Sequence, residues 1–476
     1  MRPRRRTSRG SKRRNALARV GATACLAGQA LACQAAPEAA PATTAFVDVS
    51  VLPMDPEGVL EGQTVLVREG TITEVGPVDE VVVDEGATVI DGEGRFLMPG
   101  LAEMHAHVPP GDTPPRDEIE DILFLYVANG ITTIRGMLGS DYQLPLAEEI
   151  ARGDVLGPTF YVGAPSLNGE TAPTPDAAET LVRRHAEAGY HLQKIHPGVP
   201  RAAWDRMVEV AEEVGIPFGG HVPAEVGVEH AIRTGMSTVD HLDGYVQAVA
   251  PEGVVSQVGA GTIDLEGLVG AEVDATRIEE LVELTREHDT YVVPTLYLWE
   301  NLYGTTDPEP FLELPEMRYV SEAQRDAWRQ QASGGPRGSP QAVRAFVELR
   351  NRILKGLADG DAGILMGTDS PQLFNVPGFA LHREIATMAE AGMTPRQILT
   401  SGTVAVGRYV REHLGIDHHF GTVATGQRAD LLLLEADPLE DLRHLRDRAG
   451  VMVNGHWLPE EEIRERLETL AAKHES

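Results

Sequence analysis

The stretch Leu101-Ala-Glu-Met-His105-Ala-His107 ends an apolar run with two histidines placed two positions apart. In a β-strand, residues i and i+2 project to the same side, so both imidazoles can point in one direction. Two imidazoles on one side of a strand are suited to hold a metal ion. The pair by itself is not sufficient, and the rest of the chain supplies the context.

Further apolar segments typical of short strands follow, and they alternate with segments whose apolar residues recur at helical spacing. The first five intervals between strand ends, roughly 20 to 31 residues, suit single βα units. Eight strands in this order predict an α/β fold with a (β/α)8 TIM barrel over residues 99–403. The expected strand ends are His107, Arg135, Ser166, Lys194, His221, His241, Thr295 and Asp369. Helices are expected over Asp117–Ala128, Asp176–Ala188, Ala202–Val214, Ala342–Ala358 and Leu381–Ala391.

Sequence typical of β-strands flanks the barrel on both sides. Residues 44–98 contain β-branched runs such as Phe46-Val-Asp-Val-Ser-Val-Leu, separated by glycine turns. Residues 404–476 contain Ala429-Asp-Leu-Leu-Leu-Leu and Gly450-Val-Met-Val-Asn-Gly. We therefore expect a small β-sandwich domain formed from both chain ends, with a C-terminal helix after its last strand.

Possible metal ligands occupy the ends of five predicted barrel strands. Catalytic groups of TIM barrels cluster at that face, because the loops there surround a single mouth. The pattern predicts a metal-dependent active site. Its residues are His105 and His107 on strand 1, Lys194 on strand 4, His221 on strand 5, His241 on strand 6 and Asp369 on strand 8.

Composition excludes several other classes of function. The 476-residue chain carries 72 acidic and 41 basic residues, a net charge of −31, which works against nucleic-acid binding. The two cysteines, Cys25 and Cys33, both lie near the N-terminus. The body of the chain therefore has no disulfide scaffold, no thiolate zinc site and no cysteine nucleophile.

Residues 1–33 are typical of an export signal. Nine of the 41 basic residues lie within the first 19 positions, and the apolar stretch Val20–Ala32 is too short for a stable membrane-spanning helix. Ala30-Leu-Ala-Cys33 resembles a bacterial lipobox with Cys33 as the lipidated residue, and residues 34–43 form an Ala/Pro tether. We expect an exported protein at the periplasmic or extracellular face, attached to the membrane by its lipid alone. The alternative is a cleaved secretory signal with a chance cysteine.

Four motifs give a resemblance that covers nearly all of residues 44–460. They are Pro99-Gly-Leu, Gly130-Ile-Thr-Thr-Ile-Arg, Val293-Pro-Thr-Leu and Gly421-Thr-Val-Ala-Thr-Gly-Gln-Arg-Ala-Asp-Leu. With the six possible ligands, the chain resembles the amidohydrolase superfamily, and within it the imidazolonepropionase-like and prolidase-like metal-dependent hydrolases.

The resemblance implies a cofactor of two divalent metal ions, usually zinc. It implies that His105, His107 and Asp369 hold one ion and that His221 and His241 hold the other. Lys194 would bridge them after N-carboxylation, since a carbamate ligates a cation and an ammonium does not. An ordinary Lys194 beside a mononuclear site is the alternative.

The resemblance also implies a reaction. A metal-activated water would hydrolyse the amide C–N bond of a small molecule, with Asp369 as the proton shuttle. A dipeptide or an N-acyl amino acid is the favoured substrate. The alternatives are a cyclic amide or lactone hydrolase and, in another class, a non-catalytic binding protein on a degenerate barrel.

Four further residues are candidates for substrate binding. Arg135 can pair with a substrate carboxylate, and its alternative is a structural salt bridge. His196 and Tyr245 lie just beyond possible metal ligands, with packing or support of a ligand as their alternative. His382 resembles a position near the substrate in relatives, and its alternative is a helix-surface histidine.

A long insertion, Trp299–Pro340, separates the last two predicted strands and is rich in aromatic residues. Long insertions at this end of a barrel usually cover the active site, so we expect a partial lid. The alternative is a surface insertion or an oligomer contact. The expected partners are therefore a small-molecule substrate and, if the insertion is an oligomer contact, a second copy of the chain.

Overall fold

The computed structural model describes residues 43–109, 111, 114–251, 265–305, 307–335 and 338–475. The predicted signal peptide, Cys33 and nearly all of the tether lie outside the described residues. Among the residues that the structure describes, no helix is both long enough and apolar enough to cross a bilayer.

The strands and helices alternate through most of the chain. The strands are β1 (Thr43–Val51), β2 (Leu60–Arg68), β3 (Thr71–Pro77), β4 (Thr88–Asp91), β5 (Phe96–Pro99), β6 (Leu101–Ala106), β7 (Ile131–Gly136), β8 (Thr159–Val162), β9 (Gln193–Ile195), β10 (Phe218–Gly220), β11 (Thr238–Asp240), β12 (Tyr291–Val293), β13 (Leu431–Leu434), β14 (Arg448–Val453) and β15 (His456–Pro459). The α-helices are α1 (Arg116–Ala128), α2 (Gln143–Ala151), α3 (Pro175–Ala188), α4 (Arg201–Val214), α5 (Val228–Arg233), α6 (Tyr245–Val249), α7 (Ala275–Glu287), α8 (Leu296–Gly304), α9 (Glu309–Leu312), α10 (Glu322–Ala332), α11 (Pro340–Asp359), α12 (Phe379–Glu390), α13 (Pro395–Ser401), α14 (Val404–Glu412) and α15 (Glu460–Glu475). Short 3-10 helices lie at Glu266–Leu268, Pro315–Tyr319 and Leu442–Arg446.

Parallel strands form the barrel. β6, β7 and β8 pair in one sheet, and β9 to β12 pair in order in another. A parallel bridge from Gly163 to Leu192 joins the two sheets. Residues 363–370 supply the eighth segment, since they bridge β12 at Ile364 and β6 at Ser370. The fold prediction is confirmed, and the ring of eight parallel segments places the predicted strand ends around one mouth.

The predicted helices are present with nearly the expected bounds, and local capping signals set the ends of some helices of the chain. Thr174 caps α3 by accepting a hydrogen bond from Ala177 N, and Gly189 ends the helix at φ +88°. Thr394 and Gln397 form a capping box at the start of α13.

Both chain ends contribute to the small β-domain. Its strands form a single eight-stranded hydrogen-bonded sheet, in which β13 pairs with β5 and β4 pairs with β1. Strand β13 reads Leu431 to Leu434, and its side chains alternate between two cores. Leu431 and Leu433 pack in the core of the β-domain, whereas Leu432 and Leu434 belong to the core cluster of the barrel. This one strand therefore joins the β-domain to the barrel.

The insertion is largely helical in the part that the structure describes. It contains most of α8, then α9, a 3-10 turn and α10. Phe311 stacks on Phe374 with ring centroids 5.0 Å apart, and Trp328 meets the same ring edge-on at 5.9 Å. Phe374 lies five positions beyond Asp369, so the insertion packs on the loop that leaves the eighth segment. The lid remains a hypothesis that this position supports.

Candidate metal centre

Three of the predicted ligands meet where β6 and residues 363–370 lie side by side. Asp369 N donates to His105 O at 2.8 Å, and His107 N donates to Ser370 O at 2.9 Å. Oδ1 of Asp369 lies 2.6 Å from Nε2 of His107 and 3.5 Å from Nε2 of His105. The ligand atoms of these three residues all lie within 4.8 Å of one another, close enough to share one ion.

Lys194 ends at the same place from the other side of the barrel. Its side chain is fully buried, and Nζ lies 3.4 Å from Nε2 of His105 and 4.0 Å from Oδ2 of Asp240. A buried amine among imidazole nitrogens is costly as an ammonium.

His221 and His241 extend the cluster beyond Lys194. The ring centroid of His241 lies 4.4 Å from that of His221 and 4.5 Å from that of His105. Nδ1 of His221 lies 2.7 Å from Oδ2 of Asp243, and Nδ1 of His241 lies 2.8 Å from Oγ1 of Thr295. These contacts fix each ring through one nitrogen and leave Nε2 for another ligand.

The residues present fit a metal centre. Nε2 of His241 is buried, has no hydrogen-bond partner among the residues that the structure describes, and lies 3.7 Å from Oδ2 of Asp369. An orphaned nitrogen facing a carboxylate needs a shared cation or a proton between them. Imidazole and carboxylate donors suit zinc, and the structure brings together all six residues predicted for the metal centre.

Burial sets the protonation of the cluster. It holds the pKa of His105 and of His241 well below the usual value, and so favours the neutral imidazole that can bind a metal. Burial alone would raise the pKa of Asp369, but His105, His107 and Lys194 bring it down to about 2. Burial lowers the pKa of Lys194, whereas the negative charges of Asp240 and Asp369 raise it.

Two of the ligands have left-handed backbone conformations. The φ angles of His241 and Asp369 are both +64°. Non-glycine residues seldom adopt this region, and where they do the surrounding structure must hold them. In both cases the chain turns sharply at the end of its barrel strand, which directs the side chain toward the centre.

Sequence reasoning missed the residues that support the ligands. Oδ2 of the fully buried Asp240 lies 2.8 Å from Nδ1 of His105, although the two groups are not aligned for a hydrogen bond. Glu103 is fully buried and accepts hydrogen bonds from His105 N, Thr368 N and Thr368 Oγ1, which ties β6 to the eighth segment. Burial raises its pKa to about 8. The alternation of side chains along a strand places Asp240 on the same side as Thr238, inside the barrel. It does not show that His105 is the neighbour of Asp240.

Arg135 is fully buried within the barrel. Its guanidinium donates to Met104 O at 2.8 Å, to the hydroxyl of Tyr409 at 2.9 Å and to Thr238 Oγ1 at 3.2 Å. It also lies 3.5 Å from Asp240. This setting corresponds to the structural alternative for Arg135 rather than to a contact with substrate.

The other three candidates for substrate binding lie in different surroundings. The ring of His196 lies 5.1 Å from that of His221, at the edge of the candidate metal centre, and its buried Nδ1 has no hydrogen-bond partner within the described part of the chain. Tyr245 is fully buried with its hydroxyl 2.6 Å from Thr285 Oγ1, which corresponds to the packing alternative. His382 is 6% exposed, so it is not a surface histidine, and burial together with the positive charges of Arg448 and other arginines lowers its pKa.

Comparison with known proteins gives both sequence relatives and a common fold. Enamidase of Eubacterium barkeri is 38% identical over 77 residues, 16% of this chain and 20% of that enzyme. Adenine deaminase of Ruegeria sp. (strain TM1040) is 30% identical over 208 residues, 40% of this chain and 34% of that enzyme. The chain thus spans about a third or less of the length of these curated relatives.

A solved structure shares the whole architecture. The putative prolidase from Bifidobacterium longum superposes with a TM-score of 0.65 over 90% of this chain and 99% of its own, at 22% identity, a likeness that shows the fold. The model of the Amidohydrolase family matches residues 96–458, from the end of the first β-domain segment to β15. The predicted family is confirmed, and it supports the prediction of a hydrolase acting on C–N bonds. The chain belongs to the amidohydrolase family.

Proposed function

We propose that the protein is a metal-dependent hydrolase that cleaves an amide C–N bond in a small molecule, with a dipeptide or an N-acyl amino acid as the favoured substrate. The observation that carries the proposal is the position of the Asp369 carboxylate among three histidines. Its two carboxylate oxygens lie against His107 and His105 on one side and His241 on the other, at the mouth of the barrel.

Two divalent ions, with zinc as the favoured metal, would be held by the six clustered residues. His105, His107 and Asp369 would hold one ion, and His221 and His241 would hold the other. When bound, such ions supply Lewis-acid chemistry that activates water and polarises a carbonyl group.

Lys194 would contribute a carbamate to both positions. Its neutral amine attacks carbon dioxide, a C–N bond forms, and one proton leaves to solvent. Burial favours the neutral amine that this step requires. The product is an anion beside His105, at a buried position where an ammonium would be unfavourable.

Asp369 is the residue placed to move a proton. Its low pKa keeps the carboxylate ionised and ready to accept a proton from the attacking water. The amine that departs from the scissile bond must gain a proton, and the same carboxyl group can supply it. His196 would contact the substrate, since its ring lies 5.1 Å from that of His221 at the edge of the centre.

The fold shared with a prolidase favours a dipeptide or an N-acyl amino acid. A cyclic amide or a lactone would require the same set of residues and is the alternative within this class. The aligned adenine deaminase favours a second candidate, the hydrolytic removal of an amino group from a heterocycle. The two reactions differ in product, since the first releases an amine or amino acid and the second releases ammonia.

A substrate screen with the zinc-loaded protein tests the proposal. Dipeptides and N-acyl amino acids are assayed for release of primary amine, lactones for acid release and aminopurines for ammonia. Turnover of the first group with dependence on Asp369 supports the proposal. Turnover of aminopurines alone would replace it with deamination, and no turnover with intact metal binding would favour a non-catalytic binding protein.

We also propose that the protein is an exported lipoprotein attached through Cys33. The basic N-terminal segment, the lipobox-like Ala30-Leu-Ala-Cys33 and the Ala/Pro tether support it. Expression in a bacterial host with labelled palmitate tests it. The wild type should carry label and fractionate with membranes, Cys33→Ser should do neither, and an unlabelled wild type would leave only a cleaved signal.

A further inference from the structure

A buried arginine outside the predicted ligand set holds the turns that carry His241. Arg350 lies on α11 and is 2% exposed. Its NH1 donates to the carbonyl oxygen of His241 at 2.6 Å, and its NH2 donates to that of Pro294 at 2.9 Å. One guanidinium therefore connects the carboxyl ends of β11 and β12.

The two turns that Arg350 connects are both strained. The φ angles are +64° at His241, +54° at Leu242 and +44° at Thr295. Thr295 is β-branched, a residue type that avoids this region. Such conformations persist only where neighbouring groups hold them.

The two turns also contact each other through side chains. Oγ1 of Thr295 lies 2.8 Å from Nδ1 of His241. The turn after Thr295 is held from a third direction, because the buried Glu384 carboxylate accepts from Leu296 N at 2.8 Å and Tyr297 N at 2.9 Å. The orientation of the His241 ring therefore depends on where the β12 turn sits.

The Arg350 guanidinium is directed to backbone carbonyl groups and aromatic rings rather than to a carboxylate. Within the described residues, the structure pairs its guanidinium with no carboxylate at ion-pair distance, and its Nε has no hydrogen-bond partner. Its guanidinium carbon lies 5.5 Å from the ring centroid of Trp299 and 5.3 Å from that of Phe346. The hydrogen bonds of the guanidinium therefore go to the two turns, through the carbonyl oxygens of His241 and Pro294.

We infer that Arg350 is a positioning residue that holds the strained turns of β11 and β12 so that Nε2 of His241 faces the second metal position. The inference rests on the proposed metal centre. The carbonyl of His241 belongs to the same residue as the ligand nitrogen, so a shift of that carbonyl moves the ring. Groups that orient a metal ligand typically change metal affinity by about 10–100-fold when removed.

Zinc titration of the metal-free full chain tests this. The wild type should bind two ions per chain, and Arg350→Met should weaken the second ion by about 10–100-fold while the first binds as before. Arg350→Lys keeps the charge but has one donor nitrogen in place of two. Its affinity for the second ion should fall between those of the wild type and Arg350→Met. Arg352→Met, an exposed arginine on the same helix, is the matched control and should bind as the wild type does.

The outcomes separate this inference from the proposed function. Two ions bound by Arg350→Met with wild-type affinities, in a protein with a wild-type circular dichroism spectrum, would overturn the role of Arg350 and leave the proposed function intact. A wild type that binds fewer than two ions would instead overturn the binuclear centre. If Arg350→Met fails to fold, Arg350→Lys decides, and wild-type affinity for the second ion in that variant would also overturn the inference.

Discussion

Oδ1 of Asp369 lies 2.6 Å from Nε2 of His107, although 262 positions separate the two residues in the chain. The hydrogen bonds between β6 and residues 363–370 produce this contact, because they set the two strand ends side by side. The closure of the barrel thus completes the group that we propose to bind metal and move a proton.

Replacement of Asp369 by Asn should lower kcat by about 10²–10⁴-fold, because the amide cannot accept a proton from water. Steady-state hydrolysis of a substrate found in the screen measures it. Asp359→Asn, at the exposed end of α11 where Asp359 pairs with Lys355, is the control and should keep full activity. Substantial activity in Asp369→Asn would remove the proton-shuttle role.

Carboxylation of Lys194 should make metal loading depend on carbon dioxide. Metal-free protein in carbon dioxide-depleted buffer should bind zinc weakly at the second position and recover when bicarbonate is added. Lys194→Arg cannot form the carbamate and should show no response to bicarbonate. Metal content after gel filtration measures both, and equal loading with and without bicarbonate would favour an ordinary lysine.

Removal of metal should destabilise the fold around the barrel mouth. A ligand at 100 times its Kd stabilises the folded state by about 2.7 kcal/mol, so a chelator should lower the Tm and zinc should restore it. In His107→Ala the effect of zinc on Tm should be much smaller, since one ligand of the first ion is gone. Scanning calorimetry of both proteins provides the comparison, and a Tm insensitive to chelator would argue against a tightly bound ion.

Leu432→Ala should cost about 2–5 kcal/mol in the free energy of unfolding, because the side chain is fully buried in the core cluster of the barrel. Leu60→Ala should change it by less than about 0.5 kcal/mol, since Leu60 is 45% exposed. Urea denaturation of the two variants makes the comparison. Equal losses would contradict the two-core arrangement of β13.

Glu384 should make stability fall as pH rises toward neutrality. Burial raises the pKa of Glu384 from 4.5 to about 7. The hydrogen bonds that its carboxylate accepts from two backbone N–H groups act in the opposite direction. Between these values the folded state holds a proton that the unfolded state releases, so its contribution is complete below pH 4.5 and is lost as pH approaches 7.

Glu384→Gln removes this titration, so the Tm of the wild type relative to the variant should decline from pH 5 to pH 7. Thermal melts of both proteins across that range supply the measurement. Parallel curves would show that Glu384 titrates near its ordinary pKa in the folded protein.

Much of the fold could be predicted because its signals are local. The apolar runs that end at His107, Lys194 and His241 have strand character in a short window, and helix α3 between them has its own caps at Thr174 and Gly189. The candidate ligands could be located for the same reason. Each occupies a strand end, and parallel strand ends must meet at one face of a barrel.

The sequence by itself determined the barrel, the β-domain formed from both chain ends and the set of candidate ligands. These features depend on the spacing of apolar residues and on the residue types at strand ends. Only the tertiary structure decided how the other polar residues are used. Arg135 has its donors occupied inside the barrel, and Arg350 reaches His241 across 109 positions. Partners of buried polar groups depend on which segments packing brings within about 3 Å, and no local pattern encodes that distance.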